Sequence, residues 1–236
     1  MYDGEKLNSI THLVGAVLAL VGLGALLTIS IQEKNPQLII SFSVFGFTLT
    51  LLYTMSTLYH SFHPPQLKKI FQKLDHVSIY LLIAGTYTPY MMVTLRDHGG
   101  LIMLLLIWTL ALIGLLLDVF IRNRIEWLQL LIYLVMGWIC TLNYSELQAA
   151  MPAWGVLWLT LGGIAYTGGT VFYVLDNMKK LRHAHGIWHL FVLSGSICHF
   201  ISIAAYVRET IKSKTAMQID RPLAQYGLII NFRCMS

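Results

Sequence analysis

Apolar residues run along this chain in seven long blocks separated by short polar segments, and no block carries a polar stripe along its whole length. The blocks cover 10–31, 37–62, 74–94, 99–120, 126–143, 151–176 and 184–208. Crossing a hydrocarbon core takes roughly 17–25 helical residues, so each block is expected to form a transmembrane helix, the fifth being the shortest. The architecture expected is an all-α integral membrane protein, a seven-transmembrane-helix bundle over 10–208. A polar segment, 1–9, precedes it and a polar tail, 209–236, follows.

Details within the blocks refine that picture. Pro89 in GTYTPYM should kink the third helix, because a helix-interior proline removes a hydrogen bond and frees a carbonyl. Gly15 with Ala19, and Ala165 with Gly169, place small residues at spacing four, where neighbouring helices can approach closely. The first block is too long for a signal peptide, and MYDGEKLNS sets one lysine against Asp3 and Glu5. Neither end carries a lipidation motif. From residue 212 the composition changes abruptly and no amphipathic period is evident. That stretch reads as a disordered or non-native extension, outside the fold.

Composition agrees with the pattern. Of 236 residues, 56% are hydrophobic and 11% charged, against about 25% charged in soluble domains. The net charge of +5 sits in short loops between blocks, where basic residues act as topology signals; no nucleic-acid partner is expected. Cys140, Cys198 and Cys234 form no C-x-x-C, and read as packing residues rather than a disulfide framework or thiolate metal site.

Counting Lys and Arg orients the bundle. The N-terminal side holds Lys6, Lys68, Lys69, Lys73, Arg122, Arg124, Lys179, Lys180 and Arg182, whereas the opposite loops hold Lys34 and Arg96. The positive-inside rule puts the N-terminus in the cytoplasm and the C-terminus outside. Five basic residues from Arg208 onward oppose this, but they follow the last helix and weigh less.

With that orientation, three segments bring polar groups to one depth. The second helix ends in the cytoplasm with Ser56 and His60, the third begins there with Asp75 and His76, and the seventh begins there with His185 and His189. Residues at i and i+4 share a helix face, with Cβ atoms about 5–6 Å apart, so His185 and His189 can bind one ion as paired histidines of helical zinc sites do. His60 would make a His₃ set and leave the fourth tetrahedral position open to water, the pattern of catalytic rather than structural zinc. Asp75 could hold that water or orient a ligand. A solvated cluster among headgroups is the alternative at this point, and Ser56 alone reads as a helix–helix hydrogen bond. His199 lies fourteen residues beyond His185, about 21 Å along a helix, and reads as a satisfied core histidine. His12 begins the first helix at the right level and reads as an interface residue, with a fourth polar group near the others as the alternative; His76 reads as lining a cavity, and His63 and His183 as solvated. Asp118 with Arg122, and Asp176 with Lys180, read as surface pairs.

STLYH (56–60), Asp75 at the start of the third helix and HGIWH (185–189), together with EKLNSITH (5–12), resemble the hemolysin III branch of the progestin and adipoQ receptor family. The similarity covers roughly 4–208 in the same order and spacing. It implies a seven-helix bundle of the bacterial inner (plasma) membrane with zinc near the cytoplasmic face, His60, His185 and His189 as ligands, and Asp75 and Ser56 beside the water. The wider superfamily contains alkaline ceramidases, and bacterial members are linked to membrane-lipid homeostasis. The resemblance therefore implies zinc-dependent hydrolysis of lipid amides or esters, with membrane lipids as partners and a lipid substrate in an intramembrane cavity. Two alternatives stand beside it: a non-enzymatic sensor or regulator with structural zinc, and a cytolytic pore. A pore needs a continuous polar lumen, whereas the polar groups here cluster at one end.

Overall fold

The computed structural model describes residues 4–121 and 125–210. The tail from 212, Cys234 and the Asp118–Arg122 pairing lie outside the described residues. Within them the chain is α-helical, with seven spans long and apolar enough to cross a membrane.

Helix α1 runs Lys6–Gln32, α2 Pro36–Ser61, and α3 Pro65–Pro89, continued by a π-helical turn, Tyr90–Thr94. Helix α4 runs Gly100–Phe120 and α5 Glu126–Trp138; a 3₁₀ segment, Ile139–Asn143, joins α5 to the short α6, Tyr144–Ala150. Helix α7 is Ala153–Asn177, and α8, Ala184–Ile201, ends in a second π-helical segment, Ser202–Val207.

Local chemistry explains these boundaries. Asn35 caps α2, its Oδ1 accepting from the backbone N–H of Gln37 at 3.0 Å and of Leu38 at 3.1 Å, and Pro36 occupies the first helical position, where its missing N–H costs nothing. Helix α3 starts at Pro65, ahead of its apolar block at 74. Its first turns carry Lys68, Lys69 and Lys73, which a hydropathy window rejects but backbone hydrogen bonding does not. Pro89 sits at the junction where α3 passes from α to π geometry, so the frustrated backbone is absorbed by a wider turn rather than a break. Gly99 takes φ +76°, and a Cβ on Gly100 would lie 2.3 Å from the Met91 carbonyl oxygen; the tight α3–α4 connection needs both glycines.

The fifth span, Glu126–Ala150, is longer than the block at 126–143 and is interrupted. Tyr87 of α3 repairs the interruption: its hydroxyl donates to the Met136 carbonyl at 2.7 Å and accepts from the Cys140 N–H at 2.8 Å. An irregular backbone inside a membrane is tolerated where protein groups satisfy it.

Helix α1 packs along α2, α2 along α3 and α7 along α8, while α8 closes back on α1. Of the seven spans, α3 is the most enclosed and α5–α6 the least. The small residues lie at these seams. A Cβ on Gly15 would sit 2.5 Å from the Tyr53 ring, and one on Gly169 2.7 Å from the Phe191 Cβ. Large apolar side chains such as Ile102, Leu105 and Phe120 face outward, as lipid contact requires, and polar side chains are inside. Tyr53 donates to Ser196 Oγ at 2.7 Å, and Thr48, Thr86 and Thr88 bond back to carbonyls four residues earlier.

Candidate metal centre

Five helix ends meet at the end of the bundle where α1, α3 and α8 begin and α2 and α7 finish. His60, on the last turn of α2, is buried; His185 and His189, on the first turns of α8, are half-buried and buried. The ring centroids form a nearly equilateral triangle: 5.1 Å from His60 to His185, 4.9 Å from His60 to His189 and 4.8 Å from His185 to His189. One ligating nitrogen from each lies within 4.8 Å of the others.

Each ring is also held from behind. The Nδ1–H of His60 donates to Glu5 Oε2 at 2.6 Å, that of His185 to Asp176 Oδ2 at 3.0 Å, and that of His189 to the Asn8 carbonyl at 3.1 Å. A carbonyl and two carboxylates accept, so each imidazole places a proton on Nδ1, which leaves Nε2 as the nitrogen for a ligand contact. His60 Nε2 is buried without a hydrogen-bond partner among the described residues. A buried, unpartnered acceptor is costly, and a cation at the centre of the triangle would satisfy it. The donor set therefore fits zinc: three imidazoles, each with a hydrogen-bonded second nitrogen.

Asp75 and Ser56, both buried, line the same cavity as the three histidines without joining the group of possible ligands. The cavity measures about 630 Å³, within the usual range for small-molecule sites. It runs from the histidines into the bundle, past Leu52, Ile79, Leu82 and Ile83, towards Tyr87 and Trp138. His199 touches its far part; its Nε2–H donates to the Leu159 carbonyl at 3.1 Å, as a satisfied interior histidine should.

Three placements depart from the sequence reading. His12 is buried rather than interfacial: its ring stacks on His189 at 3.6 Å and 11° and meets Tyr53 edge-on at 5.0 Å. Asp176 faces His185 instead of acting as a plain surface pair with Lys180. Glu5, given no site role in the sequence reading, sits behind His60 and also accepts from Asn8 Nδ2 at 2.8 Å and Lys68 Nζ at 3.1 Å. Burial pushes the Glu5 carboxyl upward, but its bonds to His60, Asn8 and Lys68 outweigh that and hold it at about 2. The only sequence signals for these roles were proximity to motif residues, an acid four positions before Ser9 and another nine before His185.

A seven-span bundle with a buried histidine triangle at one end of an internal cavity defines a class of intramembrane proteins equipped to hold a metal. Within that class the comparisons are specific. The family described as "Haemolysin-III related" matches residues 2–200, and the chain belongs to that family. It is 40% identical over 206 residues to Hemolysin-3 of Bacillus cereus, covering 87% of this chain and 93% of the relative. To the Hemolysin-3 homolog of Bacillus subtilis (strain 168) it is 39% identical over 202 residues, 86% of this chain and 93% of the relative. The human Monocyte to macrophage differentiation factor is 30% identical over 209 residues, 85% and 83% of the two chains. No solved structure matches the chain. The protein is thus an integral membrane protein of the haemolysin III family, and its bacterial relatives are consistent with the bacterial plasma membrane.

Proposed function

We propose that this protein is a zinc-dependent hydrolase of lipid amide or ester bonds, acting near the cytoplasmic face in membrane-lipid homeostasis. One observation carries the reading: three histidines, each fixed with Nε2 free, converge at the mouth of an apolar cavity that Asp75 and Ser56 also line. His60, His185 and His189 would hold the ion. Zinc, when bound, supplies Lewis acidity towards a carbonyl and acidifies water.

The rest falls to the chain's own groups. The Asp75 carboxylate takes a proton from the attacking water and returns it to the departing amine or alcohol. A carboxylate at membrane depth costs roughly 2.5–3.5 kcal/mol on the insertion scale, which a nearby dication would offset. The Ser56 hydroxyl donates to the carbonyl oxygen as charge develops there. The apolar wall beyond, including Leu82 and Ile83, holds an acyl chain and excludes water from it.

The test is metal content and turnover together, in detergent-purified full-length protein. Wild type should carry about one zinc per chain, as a three-histidine open site would, and His60→Ala and His185→Ala should lose it. Asp75→Asn should keep zinc while hydrolysis of fluorogenic ceramide-type amides and phospholipid esters falls by about 10²–10⁴-fold. Wild type free of metal after chelator-free purification would remove the reading.

A second reading has its own support: the three ligands join α2 to α8, and their hydrogen-bond partners add the N-terminal segment and α7. In a regulator with structural zinc the ion would staple these segments. Chelation would then lower the melting temperature sharply in a protein that hydrolyses neither lipid class.

A further inference from the structure

Glu5 and Asp176 stand outside the ligand set, yet each contacts a ligand on the nitrogen that faces away from the triangle. Resting on the metal-site reading above, we infer that Glu5 and Asp176 are positioning residues that set metal affinity, Glu5 through His60 and Asp176 through His185. An imidazole can present Nε2 to a cation only if Nδ1 keeps the proton, and at His60 and His185 the acceptor enforcing this is a carboxylate 2.6 and 3.0 Å away. A carboxylate does more than a neutral acceptor: it makes the ring more electron-rich at Nε2 and adds negative charge close to the dication. His189 differs, because its Nδ1 faces no carboxylate: it meets the Asn8 carbonyl at 3.1 Å and the Thr11 hydroxyl at 3.3 Å, and the flat stack with His12 adds a further restraint on its ring.

The two carboxylates are not equivalent. The Glu5 side chain is 22% exposed and that of Asp176 38%, so water screens Asp176 more. Glu5 is also braced by Asn8 and Lys68, which keeps its Oε2 aimed at His60. Residues 5–8 thus supply the hydrogen-bond partner of two of the three ligands, the Glu5 carboxylate and the Asn8 carbonyl. Metal retention therefore depends on a short segment at the entry to α1 staying docked against α2 and α8. Nothing in the sequence spacing links Glu5 to His60, 55 positions away.

The experiment measures zinc affinity by competition with a chromophoric chelator, using the full chain in detergent, for wild type, Glu5→Gln, Glu5→Ala and Asp176→Asn. The metal-free melting temperature and the visible spectrum of the cobalt(II)-loaded protein are recorded beside it. The expected result is a 10–100-fold loss of affinity in Glu5→Gln, a typical effect for a group behind a metal-bound histidine. The loss should be larger in Glu5→Ala, which removes the acceptor as well as the charge, and smaller in Asp176→Asn. The metal-free melting temperature should hold, and the cobalt spectrum should shift in each variant that still loads. Wild-type affinity in Glu5→Gln and Glu5→Ala, with an unaltered cobalt spectrum, would overturn the inference while leaving the metal site standing. So would an affinity loss matched by a lowered melting temperature of the metal-free protein, since Glu5 would then be holding the fold rather than the ligand. Absence of zinc from wild type itself would instead indicate failure of the underlying metal-site reading.

Discussion

Histidines that look alike in this sequence stand in different surroundings, and hydrogen-bond partners separate them. His189 is backed by a carbonyl and has its Nε2 free for a ligand, whereas His199, on the same helix, spends its Nε2–H on the Leu159 carbonyl. His189→Ala should therefore abolish zinc binding. His199→Ala should leave zinc content at the wild-type value and lower the melting temperature, because it leaves a carbonyl unpaired, at about 1–3 kcal/mol, and a void against Gly162. Metal analysis and thermal unfolding of the two variants side by side check this; loss of zinc in His199→Ala would mean the cavity's far part belongs to the site. That His185 and His189 face one point was legible because i, i+4 spacing fixes a shared helix face whatever the helix packs against. Glu5, Asp176 and the His12 stack were not, since each depends on a partner brought close only by the packing of different helices.

Seams between helices depend on residues that a hydropathy pattern scarcely notices. Gly15 and Gly24 lie on the same helix, but an added Cβ would meet Tyr53 at 2.5 Å in one case and nothing within 4 Å in the other. Gly15→Ala should cost about 1–3 kcal/mol through overpacking, read as a lower melting temperature in detergent, with Gly24→Ala at or slightly above wild type. Equal melting temperatures would show that α1 can shift away from α2 without penalty. Tyr87→Phe tests a second seam. It deprives the Met136 carbonyl and the Cys140 N–H of their shared partner and should destabilise the α5–α6 span by about 1–3 kcal/mol. A hydropathy window suggests the existence of that span but cannot show its break, because backbone satisfaction by a distant tyrosine leaves no trace in local composition.

Across the whole molecule, the three histidines of the triangle gather with Glu5 and Asp75 at one end of the bundle, which favours chemistry at one face over conduction through it. Purified protein in liposomes should show no conductance above that of empty vesicles; robust currents would put the cytolytic pore ahead of the hydrolase. Reporter fusions should locate the N-terminus and the loop carrying Lys68, Lys69 and Lys73 in the cytoplasm, as the basic residues require, and an outward N-terminus would place the histidine triangle on the other face. Length and hydrophobicity by themselves determined that the chain crosses the membrane seven times, because the cost of burying charge or open backbone in hydrocarbon is local and additive along each segment. They also determined that His60, Asp75, His185 and His189 come to one level, since depth follows from position along a helix of known rise. Which nitrogen each histidine offers, which carboxylates stand behind the rings and how much cavity lies beyond them were decided by tertiary structure alone. Those properties belong to contacts between helices, and a hydrogen bond between residues 5 and 60 has no counterpart in the order of the residues between them.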